Sequence, residues 1–441
     1  MPHAIATAHA ALAGPDLVRL MKGVVQRVRP LLARGYAELQ AAMLLASFRQ
    51  TAVEPSLRRV TIVAALGRGN GIAAGARLQA ELLSGAGFDV ELVDATPALR
   101  NPLFRAPHRP ASAYVVHCGG PQTPLLLSAV MPHARHAWRI GYWAWELPDP
   151  PRDWSGFDRL LHEIWTPSRF SRDSLQRLTN KRIEVVPHIM AAAPRRERAR
   201  TNPFTVLAFA DSRSSLTRKN PLGALACFRS AFGDDPKARM ILKLSGHAAH
   251  LGDVERAAAG CSNVTVLRDF LDGAALAALY RSADALLSMH RAEGFGLPML
   301  EAMAHGVPVV ATSWSGNLDF MNARNASLVP ARLVPVEDEA GIYSGSLWAE
   351  PDLGIAAAAL RRLKDDEAHW TQLSIAAHET VVAMAHPIPE ALRRPEPRRD
   401  QLRAILTARM AGTASTHVVA MRECLNISAA STWKRMNGDR T

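Results

Sequence analysis

The chain is poor in cysteine, in aromatic residues and in unbroken apolar sequence, and each shortage removes a class of protein. Its four cysteines, Cys118, Cys227, Cys261 and Cys424, are scattered with no paired spacing. That excludes a disulfide framework or a zinc site and fits reduced structural thiols. No apolar run is long enough to span a bilayer. The opening MPHAIATAHAALAG lacks the basic flank and long apolar core of a secretory signal, so a cytoplasmic protein is expected. No intact G-x-G-x-x-G occurs, and no Asp-x-Asp metal motif stands in a suitable context. Aromatics make up only 6%, without an aromatic RNA-binding signature or a zinc finger, so nucleic acid is not an expected partner.

Positive charge, by contrast, is in excess. Lys and Arg number 52 against 40 Asp and Glu, a formal net charge of +12. This favours anionic partners, such as a phosphorylated substrate or an anionic membrane surface touched peripherally; an arginine-rich genome with a solvated basic face is the alternative. With 48% apolar and 21% charged residues, the 441-residue chain suits two or three α/β domains, each with its own core.

Residues 1–57 read as a helical extension whose stripe Leu31, Leu32, Tyr36, Leu39 and Met43 is expected to pack on a domain. A buried-strand pattern from Arg59 to Leu66 opens a domain over 58–195, followed by Gly67, Gly69, Gly71 and Gly75 at the start of a helix. Gly69 and Gly71 either face a ligand or only make a tight turn. Ala113 to His117 is another strand, ending in a histidine that is either structural or placed at a site. Glu146 follows the aromatic cluster Tyr142, Trp143 and Trp145; it is either a desolvated carboxylate on the acceptor side or a core residue paired to an arginine. Ser168 is placed to cap the next helix. A polar stretch sets the boundary near 195. The second domain, 196–385, opens with the strand FTVLAF, and a basic tail over 386–441 is partly helical or disordered.

The most informative stretch runs from Ser288 to Thr312, SMHRAEGFGLPMLEAMAHGVPVVAT. It reads as strand, glycine turn, helix from Pro298 to Ala304, Gly306 after the helix, and a second buried strand. In a doubly wound sheet, ligands bind outside the carboxyl ends of the strands, where a helix N-terminus offers free N–H groups to an anion. Glu293 in the loop and Glu301 in the first turn of the helix can both point into one cleft.

This segment resembles the E-x7-E signature of retaining glycosyltransferases of family 4, which have the GT-B fold of two Rossmann-like domains facing across a cleft. FADSRSSLTRKNP, Phe209 to Pro221, is similar to that family's first strand and loop of the C-terminal domain, which carry an Arg and a Lys for the donor diphosphate. GYWAWELP from Gly141 resembles a segment of one bacterial branch, as does SGNLDFM from Ser315. The likeness covers roughly 58 to 380. It implies that Arg213 and Lys219, with Arg218 as the competing arginine, hold a diphosphate without a metal. It further implies that Glu301 holds the ribose and that Glu293, with the amides of Gly294, Phe295 and Gly296, holds the donor sugar; His117 is the sugar-side residue of the first domain. The expected activity is metal-independent hexosyl transfer with retention, mannose favoured, from GDP- or UDP-hexose as co-substrate. The acceptor would be a glycan or polyprenyl-diphosphate-linked glycan of a bacterial envelope or exopolysaccharide. An epimerase or hydrolase of the same fold, or a non-catalytic sugar-nucleotide-binding module, is the alternative.

Overall fold

The computed structural model describes residues 32–48, 59–67, 70–195, 203–338, 343 and 345–385. Leu31, Gly69, Cys424 and the tail from 386 lie outside them.

Helix α1, over 32–47, precedes a sheet built from β1 (Arg59–Ala64), β2 (Asp89–Asp94), β3 (Ala113–His117), β4 (Trp138–Tyr142), β5 (Glu163–Thr166) and β6 (Ile183–Val185). The strand order is β2-β1-β3-β4-β5-β6 and every pairing is parallel. Helix α2 (Gly71–Gly85) links β1 to β2, and α3 (Arg169–Leu175) follows β5. Parallel sheets are covered on both faces, which is why β3, AYVVH, is buried at every position.

The second sheet contains β7 (Phe204–Asp211), β8 (Ala238–Ser245), β9 (Val264–Leu267), β10 (Ala285–Ser288), β11 (Val309–Thr312) and β12 (Ser327–Val329). It too is wholly parallel, in the order β12-β11-β10-β7-β8-β9. The strand order reverses between β7 and β10, so the crevice for a ligand opens at their carboxyl ends. Four helices bear on that crevice or close this half: α4 (Leu216–Lys219), α5 (Pro221–Phe232), α6 (Gly273–Ser282) and α7 (Leu297–Ala304). An antiparallel pair, β13 (Ala331–Pro335) with β14 (Leu347–Pro351), precedes α8 (Leu353–Asp365) and α9 (Glu367–Ala385).

Three residues of the expected α1 stripe are turned outward, while Tyr36 is half-buried. Leu32, Leu39 and Met43 are 68%, 59% and 50% exposed, whereas Ala37, Ala41 and Leu44 are buried in the core of the first sheet. Small side chains on the inward face let the helix backbone approach closely, and the larger residues are left on the outer side. Cys118, Cys227 and Cys261 are free and buried, and burial pushes the Cys118 and Cys227 thiols up to about 12. Among the described residues no helix is long and apolar enough to cross a membrane.

Candidate functional site

Two loops meet at the carboxyl edge of the second sheet. The first follows β7 and turns through α4, a single turn fixed at both ends. Ser215 Oγ accepts from the Arg218 amide at 3.1 Å, and Asn220, at φ +52°, ends α4 while its side chain accepts from the Gly223 amide at 3.0 Å to start α5. Arg218 and Lys219 therefore leave the backbone in set directions.

The second loop follows β10 and carries Glu293. The Glu293 amide donates to Ser315 Oγ at 2.8 Å, and the Gly316 amide donates to the Glu293 carbonyl at 2.9 Å. A Cβ at position 316 would stand 2.2 Å from the Gly294 carbonyl oxygen, so only glycine permits this approach. Ser315 sits at φ +78° and ψ −151°, a region that normally requires glycine, and its hydroxyl bonds to the loop help hold it there. Gly296, at φ +102°, turns the chain into α7.

Between the loops, the Lys219 ammonium donates to Glu293 Oε1, and Arg218 Nη1 lies 3.4 Å from Oε2. Burial alone would raise the Glu293 carboxyl, but Lys219, Arg218 and His290 outweigh it and hold the group at about 2. It is an anion at any physiological pH. Arg218 is only 3% exposed; it donates to the Ala292 carbonyl at 2.6 Å and to Ser214 Oγ at 2.7 Å. Although burial disfavours its charge, Tyr343, Glu146 and Glu293 hold the guanidinium protonated, its pKa raised above the usual value. Arg213 occupies a different place: it folds back on Asp211, 2.6 Å from Nη2. The arginine beside Glu293 is thus Arg218, and Lys219 meets the same glutamate.

Glu301 lies in the second turn of α7 rather than the first, because the helix begins at Leu297. Its carboxylate accepts from the Tyr280 hydroxyl at 2.6 Å, and burial raises its pKa against the lowering effect of that bond. Tyr280 has no counterpart among the residues expected from sequence. It is contributed by α6, and its ring lies 5.4 Å from that of Phe209.

The first sheet reaches the same loop. Glu146 Oε1 lies 3.5 Å from Arg218 Nη2, and Tyr343 OH donates to Glu146 Oε2 at 3.4 Å. The pairing with an arginine therefore holds, and that arginine belongs to the opposite half. Ser168 caps α3 by accepting from the Ser171 amide, and its hydroxyl donates to the Gly294 carbonyl at 2.6 Å. Asp319 accepts from the Arg169 amide at 2.8 Å.

His117 lies at the end of β3, 2% exposed, stacked on Tyr142 with ring centroids 4.2 Å apart and bonded to Gln79 Oε1. Burial first, and the neighbouring His188 second, hold its pKa well below the usual value, so the ring is neutral. His188 in turn meets the Phe295 ring edge-on at 5.1 Å, which connects this cluster to the glycine loop. The Phe295 side chain is itself buried, so a ligand would meet its backbone. Gly71 begins α2 on the exposed side, and Asn70 shapes the turn by bonding to the Ala65 and Gly67 carbonyls and capping α2. Among the described residues no three His, Cys, Asp or Glu side chains are grouped to hold a metal ion.

Residues 225–347, which include both glutamates, match the family model described as glycosyl transferases group 1. No curated protein matches the chain. Among solved structures, Anabaena HepE in complex with UDP and glucose is similar at a TM-score of 0.52 and 12% identity, over 80% of this chain and 98% of that one. WaaG, a glycosyltransferase involved in lipopolysaccharide biosynthesis, is similar at 0.50 and 12%, over 79% and 99%. S. aureus TarM is similar at 0.46 and 13% over 62% of this chain; the chain spans only about half of TarM, 52%. The fold is therefore GT-B, two doubly wound parallel six-stranded sheets with their helices.

Proposed function

We propose that this chain is a retaining, metal-independent glycosyltransferase acting in the cytoplasm at the inner membrane face. It moves a hexosyl group, mannose being favoured by the family resemblance, from GDP- or UDP-hexose to a glycan or polyprenyl-diphosphate-linked acceptor in envelope or exopolysaccharide assembly. The observation that carries this reading is the ionised Glu293 held by Lys219 and Arg218 at the point where the strand order of the second sheet reverses. Breaking an anomeric C–O bond puts positive character on the sugar and negative charge on the departing diphosphate. Fixed groups of opposite sign on both sides of that bond stabilise the separation without reorganising. Lys219 and the N–H groups at the start of α7 serve the diphosphate, Glu293 faces the sugar, and Glu301 takes the ribose hydroxyls. Neutral His117 and its Gln79 partner position the sugar from the first half. The UDP and glucose of the HepE complex are in keeping with such a donor.

Calorimetric titration with UDP and GDP in metal-free buffer tests this reading. One nucleotide should bind, and Lys219→Ala should abolish the binding. Binding of neither, or full affinity in the variant, would overturn it.

A further inference from the structure

Lys243 is a buried cation to which the mechanism above gives no task. It is 7% exposed, on β8 near the carboxyl end. Its ammonium donates to the Leu244 carbonyl and to Ser245 Oγ, both at 3.1 Å, and no carboxylate forms an ion pair with it among the described residues. An ammonium has three donors, and leaving a buried one without a partner is costly. Two are used here. The nearest charges, Asp211, Arg268, Asp269 and Arg213, come from the ends of β7 and β9.

Its place in the sheet indicates what the third donor could meet. In the parallel register Lys243 stands between Phe209 of β7 and Leu267 of β9, so the three side chains share one face. The Phe209 ring lies against Tyr280, whose hydroxyl is bonded to Glu301. A nucleotide with its diphosphate at Lys219 and its ribose at Glu301 would extend its base over the apolar floor of Phe209 and Leu267, toward this ammonium. Uracil and guanine present a ring carbonyl oxygen where cytosine and adenine carry an amino group. A lysine can donate to the first kind and has nothing to accept from the second.

We infer that Lys243 is a specificity-determining residue that donates to O4 of uracil or O6 of guanine in the donor's base, the position where cytosine and adenine carry an amino group, and so selects uracil or guanine over cytosine or adenine. This rests on the nucleotide-sugar reading above. A base-specific donor rejects the wrong ring because the buried polar groups of the mismatched pair are left unpaired.

The test is calorimetric titration of the full chain with UDP, GDP, CDP and ADP. It is repeated with Lys243→Met, which keeps length and apolar bulk, with Lys243→Gln, which offers a donor and an acceptor, and with Lys219→Ala; thermal melting verifies that each variant folds. UDP should bind at least roughly tenfold more tightly than CDP, or GDP than ADP. Both Lys243 variants should bring that ratio toward one, while Lys219→Ala abolishes binding of all four ligands. A ratio preserved in Lys243→Met, an equal loss for all four ligands in that variant, or no base preference in the native chain overturns the assignment and leaves the donor site standing. Binding of none of the four by the native chain overturns the donor site itself.

Discussion

Replacing Glu293 with glutamine should make stability less sensitive to acid in a window fixed by the geometry of its ion pairs. The carboxyl moves from an ordinary 4.5 to about 2 on folding. A depressed carboxyl contributes stability that is complete above the unfolded value and is lost as pH falls through the folded one. Each tenfold change in acidity is worth about 1.4 kcal/mol, which makes the contribution about 3 kcal/mol at neutral pH. Linkage reduces it to about 1 kcal/mol by pH 3. The variant lacks this part and also leaves Lys219 and Arg218 facing a neutral amide, a cost that does not change with pH over this range. Urea unfolding of both proteins between pH 7 and pH 3, with fluorescence and circular dichroism compared for coincidence, reads the difference. It should be widest above pH 6 and narrow by about 2 kcal/mol toward pH 3. A difference that stays constant across the range would show that the carboxylate is not held by the two cations and would refute the reasoning.

The same substitution should have opposite effects on binding and turnover. Lys219 is occupied by Glu293, so Glu293→Gln frees the ammonium for a diphosphate; nucleotide affinity should rise by a few fold in calorimetry while transfer from a nucleotide sugar falls at least a hundredfold, roughly the scale for losing one preorganised electrostatic partner. Gly316→Ala places a methyl 2.2 Å from the Gly294 carbonyl oxygen. It should cost about 1–3 kcal/mol in unfolding experiments, the usual range for overpacking, and lower nucleotide affinity with it, because the shifted loop is the one that holds Glu293.

Much of the second half was legible because its signals are local. The apolar run from Ala283 to Met289, the glycines of GFG, Pro298 and Gly306 announce strand, turn and helix over a few residues, and the structure has each of them with small changes of boundary. Resemblance assigned Lys219 and Glu293 to one site, but their direct pairing across 74 residues had no sequence signal. What periodicity could not supply was direction and long-range contact. Leu32, Leu39 and Met43 of the α1 stripe have helical spacing yet face outward, because close approach favours Ala37 and Ala41 on the inward face. Arg213 has the spacing of a phosphate ligand, yet Asp211 two positions earlier captures it, and the neighbour Arg218 takes the place beside Glu293. Ser168 could be foreseen as a cap; that its hydroxyl would reach a glycine 126 residues later could not. Tyr280, Gln79 and Tyr343 carry no local signature, for each gains its role only when another strand or helix is brought beside it.

The Gly294 carbonyl accepts hydrogens from Ser168 and Ser171, which belong to the other sheet's half of the molecule. Glu146 and the Asp319 contact with Arg169 bind the same neighbourhood across the same divide. Swinging the halves apart must break these bonds next to the residue that carries Glu293, and a buried carbonyl stripped of its donors turns toward water. The backbone beside the glutamate is therefore anchored by the other half, while Lys219, Arg218, Ser315 and Gly316 of its own half hold Glu293 itself, so that the two halves share the fixing of one loop.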